Sequence, residues 1–175
     1  MIIFSLLNWV KDNFILIAGV SAAGKWIWEY SQQRKFEKSK FLLERIEEFN
    51  SFEEVKVVNK LLDWNSIKIK YNEIDYKIND KILVEALITH NLKSEFNPTE
   101  VMIRNLFDFY FDKLNELIIL RDCGLVDEKN LRRFLKYWIS IMNGSKNSKS
   151  KILISRIENY LIFYGYTDVH KFLFK

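Results

Sequence analysis

The chain has 175 residues, 49% of them hydrophobic and 29% charged, which excludes global disorder and leaves room for one ordinary domain plus a membrane segment. A formal net charge of +4 suits an anionic membrane surface or nucleic acid without choosing between them. The single cysteine, Cys123, excludes an internal disulfide, and one proline with five glycines leaves most of the chain free to be helix.

The first forty residues carry the strongest composition signal. Residues 1–10 (MIIFSLLNWV) are apolar, Lys11, Asp12 and Asn13 interrupt, and residues 14–30 read FILIAGVSAAGKWIWEY before the basic run Arg34, Lys35, Lys38 and Lys40. As a helix, residues 14–28 span about 22 Å, against a hydrocarbon core of about 30 Å. Two extensions meet the shortfall. Either the helix continues back through Lys11–Asn13, or residues 1–10 lie in the interface as an amphipathic piece. Lys25 would snorkel to the headgroups while Trp26, Trp28 and Tyr30 form an interfacial belt. The positive-inside rule then puts the body in the cytoplasm, giving a single-pass protein with a membrane segment at 1–30 and a cytosolic helical domain at 31–175. A cleaved signal peptide fits poorly, because the basic n-region is missing. A buried core helix is the remaining alternative. Ala18/Ala22 and Gly19/Ala23, with Gly24, have small-xxx-small spacing, which permits close helix approach in lipid and hence a homo-oligomer. A single helix with chance alanines is equally compatible.

Residues 29–50 keep a helical period through Phe36, Phe41, Leu42, Ile46 and Phe49. Ser51 with Glu54 forms a capping-box pattern that predicts a second helix to about Trp64. The period then shortens: Ile67, Ile69 and Tyr71, then Ile74, Tyr76 and Ile78, alternate with polar residues around Asn72-Glu73, which predicts a small β-hairpin at 67–78. Asp80 is placed to cap a short helix through Ile88. Asn97-Pro98-Thr99-Glu100 is a helix start, with the helix running to about Asp122 and stopping at Gly124. Asp127 caps a helix at 128–142 that Asn143-Gly144 ends, residues 144–151 read as a flexible basic loop, and a last helix covers 152–163 before Gly165 and a short C-terminal piece. The expected fold is mainly all-α, an antiparallel helical bundle with a minor hairpin.

Chemistry-bearing patterns are sparse. Two histidines, His90 and His170, lie far apart in sequence, so no zinc spacing exists, and no phosphate-cradling glycine loop is present. Asp108, Asp112 and Glu116 share a helix face that could in principle bind Mg²⁺, but a solvated acidic stripe is the commoner meaning of that pattern. Arg132, Arg133 and Lys136 lack an aromatic platform and read as solvent-facing charge. No cofactor or metal is expected, and no enzyme activity. Arg104-Asn105 inside a long helix resembles the HEPN ribonuclease motif, an arginine followed five to seven positions on by a histidine; the resemblance implies that the arginine binds the scissile phosphate and the histidine acts on the 2′-OH. Here Phe109, Tyr110 and Phe111 occupy the histidine positions, so Arg104, Asn105 and Tyr110 are degenerate candidates. The plain structural alternative is an ion pair of Arg104 with Asp108 one turn on.

The anchor, its basic flank and the helical body with an incomplete motif together resemble the small membrane accessory proteins of type VI-B CRISPR systems. That resemblance implies a HEPN-like domain and an oligomeric inner-membrane pore. It implies as partners the chain itself, membrane lipid, and the RNA-guided RNA nuclease of the same locus or its RNA, with depolarisation reinforcing antiviral defence. A membrane-anchored HEPN-type ribonuclease and a non-catalytic membrane scaffold for a cytosolic partner are the alternatives.

Overall fold

The structure is a computed structural model describing residues 14–146 and 148–175, with side chains from residue 21 onward. The described residues form seven helices and one two-stranded antiparallel hairpin. The chain divides into two compact units, the first ending at Lys40 and the second comprising Phe41–Lys175.

Helix α1 covers Phe14–Ser51. Every residue from 21 to 37 is exposed. Phe36, expected in the buried stripe, is 69% exposed, whereas Leu42, Ile46 and Phe49 are buried at helical spacing. The expected capping box at Ser51 does not form. Ser51 is still helical and its hydroxyl donates back to the Glu48 carbonyl at 2.7 Å, so Phe52 precedes α2 (Glu53–Asp63) without a side-chain cap. No described helix is long and apolar enough to cross a membrane. Lys25 and Glu29 limit the uninterrupted apolar run to residues 14–24, about 16 Å of helix. The proposed extension through residues 1–13 lies outside the described residues.

The hairpin joins β1 (Ser66–Tyr71) to β2 (Ile74–Asn79), with Ile69 opposite Tyr76 and Ile67 opposite Ile78. Asn72 and Glu73 make the turn at φ 48° and 63°. A two-residue connection of this kind needs left-handed backbone at both positions, because only that twist matches the strands. Buried Ile69 and Ile78 face the body, and Lys68 and Lys77 oppose each other on the solvent side. The next helix, α3 (Asp80–Ala86), is capped by Asn79, which accepts from the Ile82 amide at 3.0 Å. Asp80 itself is already helical and turned to another task.

That task concerns Lys149. The segment expected to be a flexible basic loop is tied down there: Lys149 Nζ meets Asp80 at 2.7 Å and the Trp64 carbonyl at 2.8 Å, with its side chain 1% exposed. A basic composition does not reveal a lysine anchored by one acid and one carbonyl.

Helix α4 (Pro98–Asp122) is the axis of the body. Both halves of its capping box are made: Asn97 Oδ1 accepts from Glu100 N at 3.0 Å, and Glu100 accepts from Asn97 N at 3.1 Å. Gly124, at φ 70°, follows its end. Helix α5 (Glu128–Met142) is capped by Asp127, α6 (Lys151–Phe163) by Ser150, and the C-terminal piece is a further helix, α7 (Thr167–Phe174). Helices α2, α3 and α7 pack on α4, while α6 packs on α3 and α7 and α5 on α2. The core is aliphatic and aromatic, with Phe107, Tyr110, Phe111, Tyr160 and Phe172 among its largest fully buried side chains.

Candidate functional site

Helix α3 ends at Ala86, and its last carbonyls lack intrahelical partners. Arg104, in the second turn of α4, supplies them. Its Nη1 donates to the Ala86 carbonyl at 2.8 Å and to the Ile88 carbonyl at 2.7 Å. A cation there also complements the negative end of the α3 dipole. Nη2 donates to the Tyr164 hydroxyl at 2.5 Å and lies 3.2 Å from His90 Nδ1. Three rings enclose the guanidinium, Phe96 at 4.2 Å, Tyr160 at 5.0 Å and Tyr164 at 5.3 Å from its central carbon. Such contacts are worth more when desolvated, and Arg104 is only 6% exposed.

The expected ion pair with Asp108 is not made, and among the described residues no carboxylate lies within ion-pair distance of Arg104. Asp108 accepts instead from the Tyr160 hydroxyl at 2.7 Å. Burial pushes the Asp108 carboxyl above the usual range, against the lowering effect of the Tyr160 bond and of the Arg104 charge. Burial, then Asp108, pushes the Tyr160 phenol up. Glu100, at the head of the same helix, goes the other way. Its burial raises it, but the bonds from Lys93 (2.7 Å) and the Asn97 amide, with the charges of Lys93 and Arg104, hold it below the ordinary carboxylate value.

His90 completes the cluster from the loop between α3 and α4. It is exposed, packs edge-on to Phe96 and Tyr164, and its Nδ1 contacts the Tyr164 hydroxyl, which also takes the His90 backbone N–H at 3.3 Å. Arg104 and His90 are 14 residues apart and Arg104 and Tyr164 are 60 apart. No local spacing could have joined them; the one hint was the tyrosine-rich ENYLIFYGY run.

The other sequence candidates are not brought to this place. Asn105 is exposed and lines an open cleft of about 440 Å³ with Tyr71, Ile74 and Val101, to which Arg104 does not contribute. Tyr110 is fully buried against Phe49, its phenol pushed up by burial alone. Asp108, Asp112 and Glu116 diverge in their bonding, to Tyr160, to Tyr166 and to Lys113. No cluster of three potential metal ligands occurs among the described residues. Arg132, read as solvent-facing, instead holds α7, with Nη1 donating to the Phe172 carbonyl at 2.9 Å. His170 pairs with Glu158 at 3.3 Å, and Arg133 and Lys136 are exposed.

On α1, Ala18 and Gly19 precede the residues whose side chains are described, while Ala22, Ala23 and Gly24 are exposed. A Cβ added at Gly24 meets nothing within 4 Å. Lys25 approaches Glu29 at 3.8 Å, and Trp26 stacks on Tyr30 at 5.7 Å. Trp26 and Trp28 are 67% and 63% exposed.

No family model matches this chain, and no curated protein or solved structure is significantly similar to it.

Proposed function

We propose that the protein is a membrane-associated homo-oligomer that forms or gates a pore and depolarises the membrane, as an accessory to CRISPR RNA-targeting antiviral defence. The observation that carries this reading is the run Trp26, Ile27, Trp28, Tyr30 and Phe36, each 52–69% exposed on one helix. Aromatic and aliphatic surface of that extent is a liability in water and is covered by lipid or by a second helix in a working protein. The basic residues Arg34, Lys35, Lys38 and Lys40 that follow suit an anionic inner leaflet, with the body cytoplasmic. In a ring of helices, polar positions such as Lys25 and Glu29 turn away from lipid, so the short apolar run is no obstacle. The helix then continues into a HEPN-like body that holds the ring and receives the signal. Co-expression with the activated RNA-guided nuclease should dissipate membrane potential, and Gly19→Leu or Ala22→Leu should reduce the effect. Wild-type depolarisation by both variants contradicts packing through that face.

A second reading, a membrane-anchored HEPN-type ribonuclease, is favoured by one contact: His90 Nδ1 stands 3.2 Å from Arg104, supplying an imidazole that the helix itself lacks. A general acid–base group contributes about 10²–10⁴-fold in rate. Labelled RNA incubated with the full chain decides it: cleavage lost in His90→Gln supports a nuclease, and intact RNA, or cleavage equal in the variant, removes it.

A further inference from the structure

In the cluster around Arg104, the arginine faces inward and the histidine outward. The Tyr164 hydroxyl accepts from Arg104 Nη2 and from the His90 backbone N–H, so its single hydrogen is left for His90 Nδ1. Arg104 Nη2 directs a second donor at the same nitrogen from 3.2 Å. A nitrogen facing two donors is an acceptor, and in a neutral imidazole the hydrogen must then sit on Nε2. No described residue bonds Nε2, and His90 is exposed. The Nη hydrogens of Arg104 are meanwhile committed to two carbonyls, a phenol and an imidazole, so the fork that would grip an outside phosphate is engaged inward.

We infer that His90 is the ligand-facing group of this cluster, a solvent-directed Nε2–H that donates to an oxyanion, and that Arg104 and Tyr164 are positioning residues that fix its tautomer. The preference for an acceptor follows from the Nε2–H, and the Arg104 cation behind the ring, which makes no ion pair among the described residues, favours an anionic acceptor against the opposing charges of Asp108 and Glu100 that also reach the cluster. Phe96 packs edge-on against the ring at 5.2 Å. The inference reverses the roles that the motif resemblance implies, and it rests on the ribonuclease reading only for whether the oxyanion belongs to RNA.

The test is histidine-selective ¹⁵N NMR on the detergent-solubilised full chain at alkaline pH, with His90→Gln used to assign the two histidine signals. His90 should show the Nε2–H form alone. Titrated inorganic phosphate should shift its Nε2 signal saturably while His170, an internal control, stays put. In Tyr164→Phe the Nδ1–H form should become detectable and phosphate binding weaken by about tenfold, the scale of one hydrogen bond, with thermal unfolding still cooperative, at a lower temperature, showing that the fold is kept. An Nδ1–H form in the wild type, or equal shifts at both histidines, overturns the inference. A selective phosphate response from a protein that leaves RNA intact supports it and removes the ribonuclease reading instead.

Discussion

Residues 21–37 and the cluster around Arg104 handle their most demanding side chains in opposite ways. On the helix, two tryptophans, a tyrosine and a phenylalanine are left in the open. In the body, a buried cation is satisfied from within, by helix-end carbonyls, a phenol, an imidazole and three ring faces. One region leaves apolar surface open among the described residues, the surface that the proposed function gives to lipid and to a second copy. The other has almost no unmet need, and its outward interest is reduced to a single imidazole edge. The working surface of this protein is therefore sought on the helix first and at His90 second.

Four variants sharpen that contrast, from the largest effect on body stability to the smallest. Arg104→Met strands the Ala86 and Ile88 carbonyls and takes one donor from the Tyr164 hydroxyl, which keeps His90, and should cost about 3 kcal/mol, read by urea denaturation; a loss below about 1 kcal/mol means the cluster is not an integral part of the fold. Lys149→Met leaves Asp80 and the Trp64 carbonyl without their cation, for about 2 kcal/mol, measured the same way. Glu100→Gln keeps the capping geometry but removes the charge, and should cost about 1 kcal/mol at neutral pH. Its pH dependence has a definite sign. The Glu100 carboxyl is held low in the fold, so its contribution is present above the ordinary carboxylate value and is lost as pH falls through the folded value. The wild type should accordingly lose more stability on acidification than the glutamine variant. Last, Trp26→Ser with Trp28→Ser should change body unfolding by less than about 0.5 kcal/mol while strongly reducing sedimentation with anionic vesicles. Unaltered vesicle binding breaks the assignment of that helix to lipid.

The elements of the body were largely legible in the sequence, because caps and turns are local chemistry. Asn97-Pro98-Thr99-Glu100 marks the start of α4, Gly124 follows its end, and the alternation at 67–78 with Asn72-Glu73 marks the hairpin. Local rules failed at two helix starts. Ser51 stayed inside α1, and Asn79 rather than Asp80 capped α3, because Asp80 was claimed by Lys149. The cluster was illegible for a different reason. Arg104 was identified, but its partners come from a loop and from the end of α6, and a helical-spacing rule looks only along one helix. Sequence reasoning paired Arg104 with the nearest acid; the fold gave that acid to Tyr160 and the arginine to the end of another helix.

In the proposed assembly the exposed aromatic helix is covered by lipid and by copies of itself. The most direct measurement is the mass of the detergent-solubilised full chain by size-exclusion chromatography with light scattering. A discrete particle several times the mass of one chain, reduced in size by Ala22→Leu, is the predicted result. A monomer in mild detergent at all protein concentrations contradicts it.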